Sequence, residues 1–154
     1  MYSKEYKNEM KKLFYTSFGK YMSKNKSTND TKIKWLNYKT GVKDIYFRIS
    51  LETKNALVYI ELQHQDDGLR NLFFDQFLEL KTVFTNTLGE NWEWNRAQEN
   101  NYGKKCARIT TTLKKLNLYN KETWAETFQF FEKHLLNIDE FWSEFKEVFK
   151  ELDN

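Results

Sequence analysis

The stretch 44-DIYFRISLETKNALVYIELQ-63 decides the fold. In its first half Ile45, Phe47 and Ile49 alternate with Asp44, Tyr46 and Arg48. In its second half Val58, Ile60 and Leu62 alternate with Leu57, Tyr59, Glu61 and Gln63. A period of two puts successive side chains on opposite sides of a strand, so both halves read as strands. The turn formers of "LETKN" between them make the pair a hairpin. With the turn centred near Thr53-Lys54, the numbers of facing residues sum to about 107. Asp44 then faces Gln63, Tyr46 faces Glu61 and Arg48 faces Tyr59. All six share one polar face, and the apolar residues share the other. The apolar face needs a cover, which the rest of the chain must supply.

Just upstream, 35-WLNYKTGVKD-44 carries a tryptophan, a turn at Thr40-Gly41, and a lysine and an aspartate where the strand begins. Asp44 opens the polar side, and Lys43 is expected on the other side. Before this, Tyr6, Met10, Leu13, Phe14, Phe18 and Tyr21 recur at spacings of three and four, which defines an amphipathic helix. The polar segment 24-KNKSTNDTK-32 reads as an exposed loop, and Ile33 to Lys39 as a weak strand. After the hairpin, residues 66–84 read as one helix capped by Asp66 or Asp67, with Leu69, Leu72, Phe73, Phe77, Leu80 and Phe84 as its stripe. Strands are expected around Asn91–Asn95 and Lys105–Leu113. Two helices finish the chain, the second capped by Asn137 with Glu140 at its third position. The expected fold class is α+β. It has an N-terminal helix, a mainly antiparallel sheet of four to five strands with a helix inserted between strands, and two C-terminal helices, all in a single domain over residues 1–154.

Composition narrows the function. The chain has 154 residues, a net charge of +3, one cysteine and no proline. A lone Cys106 excludes an internal disulfide, which fits a reducing, cytoplasmic setting. The N-terminus lacks the apolar run of a signal peptide, and no segment approaches the roughly 18 apolar residues of a membrane span. Charge is unevenly placed. Residues 1–43 hold 11 Lys and 3 acids, whereas residues 121–154 hold 4 Lys and 9 acids. The basic end suits nucleic acid or an acidic partner protein. The structural alternative is that the two ends pack together, and the first 43 residues contain no Arg to anchor phosphate.

The segments "FYTSFGKYM", "WLNYKTGVKDIYFRI" and "IELQHQDDGLRNLFFDQFLELK" resemble the family labelled domain of unknown function 4268, over nearly the whole chain from Phe14. "NYKTGVKDIYF" is the most specific part of the resemblance. It implies a bacterial domain found alone or appended to nuclease-like domains, and so a role near DNA or in host defence. The label carries no assigned activity, so it transfers no catalytic residue.

The polar face supports a sharper chemical reading. Helix, strands, helix, strand is also the order of PD-(D/E)xK nucleases, which hold a divalent metal with an aspartate on one strand and a Glu-x-Lys on the next. Asp44, Glu61 and Gln63 occupy comparable places, and Mg²⁺ would be the cofactor, because it prefers carboxylate oxygens. Two departures stand against this. No proline precedes Asp44, and Gln63 replaces the lysine. Without that chemistry no cofactor is expected, and the face becomes a binding surface formed by Tyr46, Arg48, Tyr59, Lys39 and Lys43. A structural reading accounts for the same residues: Arg48 pairs diagonally with Glu61, and the tyrosines pack beneath a helix. His64 with Asp66 and Asp67 offers a metal set that a helix cap explains equally well. Trp92 and Trp94 share one strand face, where they can stack bases or join the core. The C-terminal apolar stripe could also serve as a seam for a homo-oligomer.

Overall fold

A computed structural model describes residues 2–153. Helix α1 (Lys4–Met22) begins at an N-cap, Ser3, whose side chain accepts from the Tyr6 amide. Strands β1 (Ile45–Leu51) and β2 (Ala56–Leu62) follow, then helices α2 (Asp67–Glu79) and α3 (Lys81–Leu88). Strands β3 (Glu93–Glu99) and β4 (Lys105–Leu113) precede the long helix α4 (Trp124–Leu152). The four strands form one sheet in the order β1-β2-β4-β3, antiparallel throughout. Among the described residues no helix is long and apolar enough to cross a membrane.

The hairpin folds as its alternation dictates. Ile45 pairs with Leu62, Tyr46 with Glu61 and Arg48 with Tyr59. The Gln63 amide donates to the Asp44 carbonyl, which extends the same register by one residue. Ile45, Phe47, Leu51, Ala56, Val58, Ile60 and Leu62 are buried on one side. Strand β4 continues that side with Ala107 and Ile109, opposite Leu62 and Ile60. The helices cover it. Phe47 meets Trp142 of α4 at 5.1 Å edge to face, Phe74 of α2 meets Trp94 at 6.1 Å, and Phe84 of α3 meets Trp94 at 5.1 Å. Phe14 and Phe18 of α1 pack on Phe131 of α4.

Four expectations change. The segment from Ile33 to Lys39 is not a strand; it holds a short 3-10 turn, Trp35–Asn37, with Trp35 buried. Residues 66–84 form two helices, broken at Leu80 (φ −95°, ψ 10°). The break lets Phe77 pack on Phe149 of α4 while Phe84 turns toward Trp92 and Trp94. The third strand runs later than expected, from Glu93 to Glu99, and carries a bulge between Asn95 and Gln98. The two C-terminal helices are one, 29 residues long. Asn137 lies mid-helix, because the apolar spacing from Trp124 to Phe149 never breaks and no glycine or proline stops it.

The loop over residues 24–32 is largely exposed, yet α4 straps it down. Buried Asp139 (1% exposed) accepts from Ser27 Oγ, the Thr28 amide, Thr28 Oγ1 and the Tyr38 hydroxyl. Burial, reinforced by the Asp139 carboxylate, pushes the Tyr38 pKa up, so the phenol keeps its proton. One α-helical turn pair earlier, Glu132 accepts from Tyr21 and Asn25 and meets Lys24 at 3.4 Å. Burial would raise its pKa, but those donors outweigh burial and hold it below the usual carboxylate value.

Gly41 has φ +77°, and an added Cβ would lie 2.7 Å from Cε of Lys146. The lysine can swing away, so the left-handed backbone sets the cost. Gly41→Ala should lower unfolding free energy by about 1–2 kcal/mol in urea titration. His134, buried between Trp92 and Phe130, has its pKa lowered to about 4 by burial, with Lys133 adding to the effect. Its folded pKa lies below the unfolded value. The stabilisation is therefore complete above pH ~6.5 and is lost as pH falls toward 4, by roughly 2–3 kcal/mol. His134→Phe should flatten that limb of a stability-versus-pH curve relative to wild type.

Candidate functional site

The polar face is decided by what does not cover it. The ring contacts and hydrogen bonds that tie helix side chains to strand side chains run from the apolar side. Tyr46 and Tyr59 are half-buried among their strand neighbours, and Arg48 is exposed. No ring contact or side-chain hydrogen bond ties α2, α3 or α4 to Tyr46 or Tyr59 among the described residues, whereas Tyr15 of α1 lies within electrostatic reach of Tyr59. Arg48 instead lies over the Tyr46 ring at 4.6 Å, and Arg108 of β4 lies over the Tyr59 ring at 4.2 Å.

The expected Arg48–Glu61 pair is also replaced. Register sets Glu61 opposite Arg108, and their side chains form the ion pair. Glu61 is 3% exposed. Its Oε1 accepts from Arg108 and from the Cys106 thiol, and its Oε2 accepts from Gln63. An unpaired carboxylate at that depth would be costly, and Arg108 supplies its partner. Burial, with the Glu61 carboxylate next, pushes the Cys106 thiol up to about 11, which leaves it a poor nucleophile. Tyr59 is raised by burial, an effect that Arg108 partly opposes.

These contacts bear on Mg²⁺. Both oxygens of Glu61 are already engaged, and the Asp44 side chain makes no hydrogen bond or ion pair among the described residues. No group of three His, Cys, Asp or Glu able to hold a metal exists among them. The residues do not fit a Mg²⁺ site. Asp44 has a backbone role instead. Its φ is +64°, a left-handed conformation that aspartate tolerates better than most residues, and it closes the turn that launches β1. The His64 set does not converge either. Asp66 caps α2 by accepting from the Leu69 amide, and Asp67 pairs with Arg70 at 2.6 Å. His64 is buried and stacked on Phe73 at 4.4 Å, and burial lowers its pKa. Trp92 and Trp94 serve the core, Trp92 donating to the Leu88 carbonyl.

What the structure does assemble lies at the edge of β1. A cleft of about 430 Å³ is lined by Lys39, Lys43, Asp44, Tyr46 and Arg48, among others. It adjoins a cleft of about 610 Å³ lined by Lys32, Lys34, Lys39 and Lys146, and the two share Asn37, Tyr38 and Lys39. Tyr59, Glu61 and Gln63 stand on the next strand of the same face. Arg108 and Lys146 escape sequence reasoning, because each enters from an element whose pairing is non-local. The alternation of Cys106, Arg108 and Thr110 in β4 was the available sign.

The fold and this face define a small α+β domain whose sheet has a basic edge at β1. The chain matches the family described as Domain of unknown function (DUF4268) over residues 10–146, and it belongs to that family. No curated protein and no solved structure matches it.

Arg108→Met should leave Glu61 buried without its cation and cost about 3 kcal/mol in urea denaturation at pH 7. Adding Glu61→Gln should recover part of that loss.

Proposed function

We propose that this domain is a non-enzymatic interaction module that binds single-stranded nucleic acid along the β1 edge and the open sheet face. The observation that carries this reading is the convergence of Lys39, Lys43, Tyr46 and Arg48 on one cleft. Lysines there would neutralise phosphates and release counterions. The Tyr46 and Tyr59 rings, each partnered by a guanidinium plane, offer the stacking surface that unpaired bases use. Lys32, Lys34 and Lys146 of the adjoining cleft would extend the cationic track. An acidic partner protein is the competing occupant of the same charges.

The other two readings lose their residues to other tasks. A nuclease would need the oxygens of Glu61, which Arg108 and Gln63 hold. An α4 seam would need the stripe Phe131, Leu135, Ile138, Phe141, Trp142 and Phe149, which the chain's own core buries.

The test is fluorescence anisotropy with a labelled single-stranded 20-mer across a salt series. The expected slope of log K against log [salt] is about −2, from three phosphate contacts at roughly 0.7 each. Lys43→Glu with Arg48→Glu should weaken binding tenfold or more and flatten the slope. A slope near zero, or a tighter grip on an acidic peptide than on the oligonucleotide, would refute the nucleic-acid reading.

A further inference from the structure

The opposite end of the hairpin holds a second cluster. Tyr2, Tyr6 and Tyr119 place three phenol rings nearly parallel, with centroids 4.0 Å apart for Tyr2–Tyr119 and 5.2 Å for Tyr2–Tyr6. Interplanar angles are 25° or less across the three pairs. Yet Tyr2 is 59% exposed and Tyr6 38%. Burial normally drives aromatic rings together, whereas these rings stack on one another while Tyr2 and Tyr6 leave much of their surface to solvent.

Beside them lies a cleft of about 580 Å³ between the β1–β2 turn and the segment after β4. Tyr2 and Tyr119 line it, together with Lys54, Lys114 and Lys115. No carboxylate lines it, and none of the three lysines makes an ion pair among the described residues. That contrasts with the cleft around Arg70, Arg96 and Lys105, whose cations are paired with Asp67 and Asp75.

The wall of the tyrosine cleft is preorganised. The Leu118 amide donates to the Thr53 carbonyl at 2.9 Å, which ties the loop to the hairpin turn. Asn117 Oδ1 accepts from the Tyr119 amide, and the Trp124 indole donates to the Leu118 carbonyl. Tyr119 is therefore held in place before any ligand arrives, which reduces the ordering cost of binding.

We propose that this cleft is a second binding site, for an aromatic ring that carries a phosphate. Such a group is a nucleotide, either free or within a single strand. The ring stacks against the tyrosines, and the phosphate sits among Lys54, Lys114 and Lys115. The site is separate in its residues from the β1-edge cleft and does not depend on the reading of that cleft.

The experiment is an NMR titration of the whole chain with AMP, with inorganic phosphate and with a single-stranded hexanucleotide. AMP is expected to move the Tyr119, Lys114 and Lys115 amides. Its Kd should weaken about tenfold in Tyr119→Ala and again in Lys114→Gln with Lys115→Gln, because stacking and charge both contribute. Lys114 and Lys115 are exposed and Tyr119 is half-buried at the edge of the core, so unchanged amide shifts elsewhere in each variant serve as the check that the fold persists. Movement with the hexanucleotide but not AMP would also support the site and identify its source as a strand. AMP binding that survives Lys43→Glu with Arg48→Glu would show the two clefts to be separate. The proposal is overturned if neither nucleotide moves these amides. It is overturned too if phosphate binds as tightly as AMP, or if Tyr119→Ala leaves AMP affinity unchanged.

Discussion

Trp142 holds the arrangement together. Its indole N–H donates to the Thr40 carbonyl at 2.8 Å, and its ring meets Phe47 edge-on and lies nearly parallel to Phe77. One side chain of α4 thereby grips the turn before β1, the apolar face of β1 and helix α2. Thr40 completes the turn by donating its hydroxyl within the segment that leads into β1, where it reaches the Ile45 carbonyl at 2.9 Å. Once Phe47 is pulled inward, the period of the strand forces Tyr46 and Arg48 outward. The open face is thus a consequence of where α4 places its tryptophan.

An open face on a thin two-layer domain poses its own problem. Glu61 sits on a central strand, shielded by neighbouring side chains from most of the water that would solvate it. The cross-strand partner Arg108 neutralises it and covers Tyr59 as well. The same pairing that makes the face stable removes the carboxylate from metal chemistry. Glu61 is held in an internal pair, while Lys39, Lys43 and Arg48 make no ion pair among the described residues and outnumber the one carboxylate, Asp44, that shares their cleft.

The hairpin was legible in the sequence because its information is local. Alternation fixed which side chains share a face, and the turn fixed the register down to Tyr46 opposite Glu61. The partner of Glu61 was not legible, because β4 lies more than forty residues away and nothing local says which strand it joins. The α3 bend at Leu80 carries no glycine or proline, so only the demand that Phe77 and Phe84 reach different partners reveals it. Asn137 misled in the other direction. Its preference for caps is worth well under 1 kcal/mol in a helix interior, which the burial of Leu135, Ile138 and Phe141 on either side overrides. The lysines of the candidate site were visible by type, but their convergence needed the turn at Gly41 and the reach of Lys146 from α4.

The proposed contact surface is the face that bears Tyr46, Arg48 and Tyr59. Amide chemical-shift mapping with a single-stranded oligonucleotide tests it most directly. The account predicts shifts at residues 39–48 and at Tyr59, with the interior of α4 around Ile138 and Phe141 unmoved. Shifts confined to other faces of the domain, or none at saturating oligonucleotide, would contradict it.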